Sequence, residues 1–286
     1  MILRKLENID RKLLELHHGQ NELQKEIANI KASQQATCIS QVQSYEKVLN
    51  SISQQNQSTP STATVPTTPR TTAPKPKQPP FTSCKEVPYN VSGVYLIHVN
   101  NSNSSFNVFC DQENFDGGWI VVQHRFDGSV DFYRNWTEYR EGFGNFENEF
   151  WLGLEKLHQI TMTRVHEIII EIKDFNGNYG YARYDEFKIG SEYEQYQLTL
   201  GKYSGNASDS MSYNKGMKFS ASNRDNGNYY RHCAQDFEGA WWYGGCTLAN
   251  LNGPYKNINH QKSTYWYYFK NDYRGMSFSR MMIRET

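Results

Sequence analysis

The chain has 286 residues, enough for one or two domains, and its 30 basic and 30 acidic side chains leave a formal net charge of zero. That balance offers no overall field to nucleic acid or an acidic membrane, and no segment carries the Lys/Arg run of a nucleic-acid-binding face. No stretch approaches the roughly 18 consecutive apolar residues of a membrane span, so neither nucleic-acid binding nor membrane insertion is expected.

Residues 1–53 read as a coiled-coil oligomerisation helix. Ile2, Leu6, Ile9, Leu13, Leu16, Leu23, Ile27 and Ile30 follow alternating steps of four and three, with one skip at Gln20. Such a heptad seam wants a partner helix. After a stutter, Cys38, Val42, Tyr45, Leu49 and Ile52 form a second seam. In a parallel assembly, equivalent core residues of different chains face each other, so Cys38 is a candidate interchain disulfide; a free, buried thiol is the alternative. Dimer and trimer are both compatible with this pattern. Met1 to Leu14 alternates apolar with charged residues and lacks the apolar centre of a secretory signal. A secreted protein of this sequence is expected to have lost its signal peptide.

Residues 54–83 read as a disordered linker rich in Pro, Ser and Thr. Seven of the nine prolines lie between Pro60 and Pro80. Proline lacks an amide donor and fixes φ, which excludes helix and ladder alike. The composition fits an extended spacer, plain or O-glycosylated.

Residues 84–286 hold most of the aromatic side chains and form the expected globular domain, of α+β class. Gly93–Ile97, Trp119–Val122 and Val165–Ile172 read as strands bounded by turn residues. Helical patterns fall between Asn135 and Ile160, including Glu149 to Leu154. From Phe175 onward Gly, Asn and Tyr dominate, and a loop-rich portion is expected. Cys84, Cys110, Cys233 and Cys246 are an even set without CxxC spacing, and sequence alone allows three pairings. Sequons occur at Asn56, Asn90, Asn100, Asn103, Asn135 and Asn206, which adds weight to an extracellular, glycosylated protein. The catalytic motifs G-x-S-x-G, H-E-x-x-H, the P-loop and G-x-G-x-x-G are all missing, and no catalytic residue is expected.

Three blocks point further. The first runs from Asp116-Gly-Gly-Trp119 through Arg125-Phe-Asp127-Gly128 to Tyr133-Arg134-Asn-Trp136. The second is Tyr139-Arg-Glu-Gly142-Phe143-Gly144-Asn145 with Glu149-Phe150-Trp151-Leu152-Gly153-Leu154. The third is Cys233-Ala234, Gly239-Ala240-Trp241-Trp242-Tyr243, Cys246 and Asn250-Leu251-Asn252-Gly253-Pro254-Tyr255. Together they resemble the fibrinogen C-terminal domain family, shared by ficolins, tachylectins, angiopoietin-like proteins and fibrinogen itself. The combination with a coiled coil looks most like invertebrate fibrinogen-related lectins or angiopoietin-like proteins.

The resemblance implies bridges Cys84–Cys110 and Cys233–Cys246. It implies a calcium loop before Cys233, in which Asp225 matches the first carboxylate ligand and Tyr229 and Arg231 would offer backbone oxygens. Gly227 stands where the second carboxylate belongs, so weak calcium binding or none is expected. It also implies a ligand pocket beside the second bridge, formed by Phe237, Gly245, Cys246 and Thr247, with Trp266, Tyr267 and Tyr268 as the far wall. Trp241 and Trp242 are expected in the core. The implied function is a secreted oligomeric lectin for acetylated glycans in innate immunity. The alternatives are a ligand for a cell-surface receptor and a matrix or clot-like structural protein.

Overall fold

The computed structural model describes Lys12, Lys25, residues 80–99 and residues 104–286. The expected coiled coil, Cys38, the linker up to residue 79, Asn56, Asn100 and Asn103 lie outside these described residues. Residues 80–99 and 104–286 fall within one compact unit, Ala73–Thr286.

The first three strands are β1 (Gly93–Val99), β2 (Ser104–Asp111) and β3 (Trp119–Arg125). Helix α1 (Trp136–Glu141) follows, then the short strands β4 (Phe143–Gly144) and β5 (Phe150–Trp151), then helix α2 (Leu154–Thr163). The remaining strands are β6 (His166–Asp174), β7 (Tyr179–Ile189), β8 (Leu198–Leu200), β9 (Tyr203–Gly205) and β10 (Met276–Glu285), with helix α3 (Cys233–Asp236) between the last two. The sheet runs in the order β1-β2-β3-β10-β6-β7-β8.

β6 shows why this is a two-faced, covered sheet. Ile168, Ile170 and Ile172 join the main core, while Ile169 packs with Trp119, Val121, Phe150 and Met282 on the other side. Residues in a strand alternate faces, so a strand buried on both reads as a continuous apolar run. The second face is closed by ion pairs: Arg280 joins Asp111 at 2.7 Å, and Arg284 joins Glu167 at 2.9 Å.

Two expectations change here. Glu149 to Leu154 has a helical pattern, yet Phe150–Trp151 is a strand that pairs with β3 and β4. Gly153, at φ 114°, breaks the chain before α2 begins at Leu154. The C-terminal portion is not only loops, because its last strand, β10, lies in the sheet between β3 and β6. Met281 and Ile283 join the main core and Met282 the opposite cluster, so this strand too is buried on both faces, and its register against β3 shifts between Met281 and Met282.

Between β9 and β10 there is little regular structure. Buried asparagines take over the role of a ladder there. Asn250 accepts from the Tyr243 hydroxyl at 2.9 Å and donates to the carbonyls of Phe237 and Ser263 at 3.2 and 3.3 Å. Asn252 donates to Ala240 O at 3.1 Å, and Asn214 to Trp242 O at 2.9 Å. Buried backbone carbonyls need such partners, which is the physical sense of the Asn-Leu-Asn-Gly run. Trp241 and Trp242 are fully buried, and Trp242 packs on Phe219 with ring centroids 5.1 Å apart.

Candidate functional site: a cleft beside the second disulfide

Cys84–Cys110 and Cys233–Cys246 are bonded, with Cα atoms 5.5 and 5.4 Å apart. The second bridge clamps α3 to the 244–247 turn, where Gly244 N donates to Cys246 O at 2.9 Å and Cys246 sits at φ 66°. A cleft of about 660 Å³ opens over this bridge. Its base is Phe237, Gly245, Cys246, Thr247 and Leu248; Tyr213, Tyr229, Tyr268 and Tyr273 wall it. Arg231, Asp236, His260, Gln261 and Lys262 complete the rim. A second cavity, between Thr82, His166 and Glu285, measures only about 110 Å³, too little for a sugar ring or a peptide.

The rim charges are paired. Arg231 Nε lies 2.7 Å from Asp236 Oδ2, and this hydrogen bond raises the Arg231 pKa above the ordinary guanidinium value. Lys262 Nζ donates to Glu238 Oε1 at 2.7 Å, which raises the Lys262 pKa. The Thr247 hydroxyl is spent locally, donating to Ala249 O at 2.7 Å and accepting from Ala249 N at 3.0 Å. Gly245 is exposed, and a Cβ there would stand 2.9 Å from the Tyr213 hydroxyl.

Five of the seven expected pocket residues line the cleft: Phe237, Gly245, Cys246, Thr247 and Tyr268. Trp266 is fully buried, and its indole N–H donates to Ser208 O at 2.8 Å. Tyr267 backs the wall, its ring 5.3 Å from Tyr268 and 4.9 Å from Tyr273. Tyr213, Leu248, His260, Gln261, Lys262 and Tyr273 were not anticipated. They come from separate segments, and no local pattern marks them.

The loop before Cys233 presents Asp225 as the one acid between residues 223 and 232. Its Oδ1 accepts the Gly227 amide at 3.1 Å. Among the described residues no group of three His, Cys, Asp or Glu side chains is arranged to hold a metal. Calcium wants six to eight oxygens with several charges, and this donor set does not fit it. Tyr229 and Arg231 instead line the cleft.

Of the sequons, Asn90 is exposed at φ 60°. Asn206 is exposed, and its Oδ1 accepts from Tyr181 N at 2.8 Å. Asn135 caps α1 in a capping box with Glu138, both bonds at 3.0 Å.

The family profile described as the C-terminal globular domain of fibrinogen beta and gamma chains matches residues 83–286. Fibrinogen-like protein A of Apostichopus parvimensis is 42% identical over 196 residues, covering 68% of this chain and 69% of that protein. Angiopoietin-4 of Bos taurus is 41% identical over 214 residues, covering 72% of this chain but 43% of its own length. Tenascin-R of Gallus gallus is 42% identical over 195 residues, 68% of this chain and 14% of the relative. Among solved structures, the fibrinogen-like globe domain of human ANGPTL2 superposes with TM-score 0.69 at 37% identity, covering 72% of this chain and 99% of that domain. Lamprey fibrin D-dimer, complexed with the peptide Gly-His-Arg-Pro-amide, gives TM-score 0.66 at 27% identity over 99% of this chain and 94% of its counterpart. The family is a non-catalytic binding module, and among the described residues no helix is long and apolar enough to cross a membrane. With a family match over residues 83–286 and relatives above 40% identity, this chain belongs to the fibrinogen-related family defined by the fibrinogen C-terminal globular domain.

Proposed function

We propose that the chain is a secreted, oligomeric recognition protein whose cleft binds acetylated glycans on microbial or cell surfaces, in innate immunity. The observation that carries this reading is the aromatic cleft of about 660 Å³ over the Cys233–Cys246 bridge. Rings such as Phe237 and Tyr268 suit the methyl of an acetamido group and the apolar face of a sugar, while the polar rim suits its carbonyl and hydroxyls. An open single site binds weakly. A stalk over residues 1–53, reinforced by Cys38 and spaced by residues 54–83, would convert several weak contacts into avidity. Two bridges and the sequons support an oxidising, extracellular setting.

A glycan array with wild type and Phe237→Ala tests this. Capture of acetylated glycans that Phe237→Ala abolishes is the expected result. A silent array with retained binding to cell-surface protein would instead favour a receptor ligand, the reading supported by 41% identity to angiopoietin-4. Silence in both assays would leave the matrix or clot-like role.

A further inference from the structure

We propose that the 223–232 loop, one wall of the cleft, is held by its own side chains and needs no calcium. Asn226 is the central anchor. Its Nδ2 donates to Phe219 O at 2.7 Å, and its backbone amide donates to Ser220 Oγ at 2.9 Å. Phe219 and Ser220 are fully buried, and Ser220 exchanges backbone hydrogen bonds with Trp241 at 2.9 and 3.2 Å. The loop is thereby fixed to the aromatic core directly.

Two further anchors tie it to α1. Asn223 Oδ1 accepts the Trp136 amide at 2.8 Å, and the Arg224 guanidinium lies 4.0 Å over the Trp136 ring. At the far end, Arg231 pairs with Asp236 at 2.7 Å. Asp225 is the one carboxylate of the loop, while Asp236 is already paired with Arg231 and Glu192 lies 4.0 Å from Arg224, so the loop offers a divalent cation a single free charge.

What is missing is a carboxylate, not space. A Cβ on Gly227 would lie 3.3 Å from Asp225 Oδ1, 3.5 Å from Tyr243 O and 3.7 Å from Gly244 O. Three oxygens thus converge on the side chain that glycine lacks. Gly227→Asp would place a second charge among them. Without metal the two carboxylates repel; with calcium they share it.

Thermal denaturation of the full chain in about 5 mM CaCl₂ or EDTA, above the range in which extracellular modules bind calcium, tests the proposal. The readouts are stability and metal binding, so they are independent of any glycan. Wild type should melt at one temperature in both buffers, because a ligand that does not bind shifts nothing. Asn226→Ala should melt lower by the same amount in both. Ser220→Ala, which deletes one acceptor, serves if that variant does not fold. Gly227→Asp should melt below wild type in EDTA and recover in calcium, with binding visible by calorimetry. A calcium-stabilised wild type would overturn the proposal. So would an unchanged melting temperature for the anchor variant, or a Gly227→Asp variant indifferent to calcium.

Discussion

Arg125 and Glu149 meet out of reach of solvent, with Nε 3.5 Å from Oε2 and 2% and 0% of their side chains exposed. Glu149 Oε1 accepts the amides of Phe126, Asp127 and Gly128 at 2.7, 3.0 and 2.9 Å. Arg125 donates to the carbonyls of Leu251 and Gly253 at 3.3 and 2.8 Å. Burial lowers the Arg125 pKa, and the charge of Glu149 opposes that shift. Removing one partner leaves a buried charge unpaired. Glu149→Ala should cost about 3–5 kcal/mol in urea denaturation, and Glu149→Gln, which keeps an acceptor, clearly less. Equal losses for the two variants would contradict this account.

The Cys233–Cys246 bridge closes 13 residues of a segment with little regular structure. Loop-closure entropy assigns it about 3 kcal/mol. The paired Cys233→Ala, Cys246→Ala variant should lose about that much and open the base of the cleft. Denaturant midpoints measured beside wild type check the loss.

His124 and His166 should make the domain acid-sensitive. Burial lowers both imidazole pKa values, and for His124 the charge of Arg280 adds to the effect. Unfolded, each takes a proton near the ordinary value of about 6.5. Folded, each resists protonation until lower pH. The unfolded state therefore binds more protons in that window, so this contribution is intact above about pH 6.5 and lost as pH falls toward the depressed folded values. Urea midpoints between about pH 8 and 5 should fall less steeply in His166→Gln than in wild type. Parallel slopes would show that this histidine is not responsible.

Tyr268 separates binding from stability. Its side chain is 42% exposed and walls the cleft. Tyr268→Ala should weaken ligand capture by about tenfold, the scale of one aromatic contact, and leave the melting temperature unchanged. A drop in melting temperature as large as that of a core truncation would assign the ring to packing instead.

Much of the scaffold was legible because strong local patterns coincide with burial. Gly93–Ile97 and Trp119–Val122 fall inside β1 and β3, and Val165–Ile172 falls inside β6 but for Val165, one residue before its start. The second helical stretch was legible only from Leu154, because Phe150 and Trp151 satisfy a helical period as well as a strand edge. β10 was not legible because Met281 and Ile283 are buried on one face and Met282 on the other, which leaves no polar–apolar alternation to read. The asparagine network was visible as composition but not as hydrogen bonding.

The sequence alone determined the family scaffold, through blocks of Gly, Trp and Asn, and it determined the missing carboxylate at Gly227. Only the tertiary structure decided which aromatic rings face the cleft. Trp266 and Tyr268 are two residues apart, yet one is fully buried and the other 42% exposed. Their segment is a single 3-10 turn, Tyr267–Phe269, with Trp266 before it, too short for a period that would assign faces in advance. Distant segments decide: Ser208 O receives the Trp266 indole, and Ser210 Oγ receives the Tyr268 amide and leaves its ring free. Direction in such a segment is set by partners some 58 residues away, and local sequence carries no record of them.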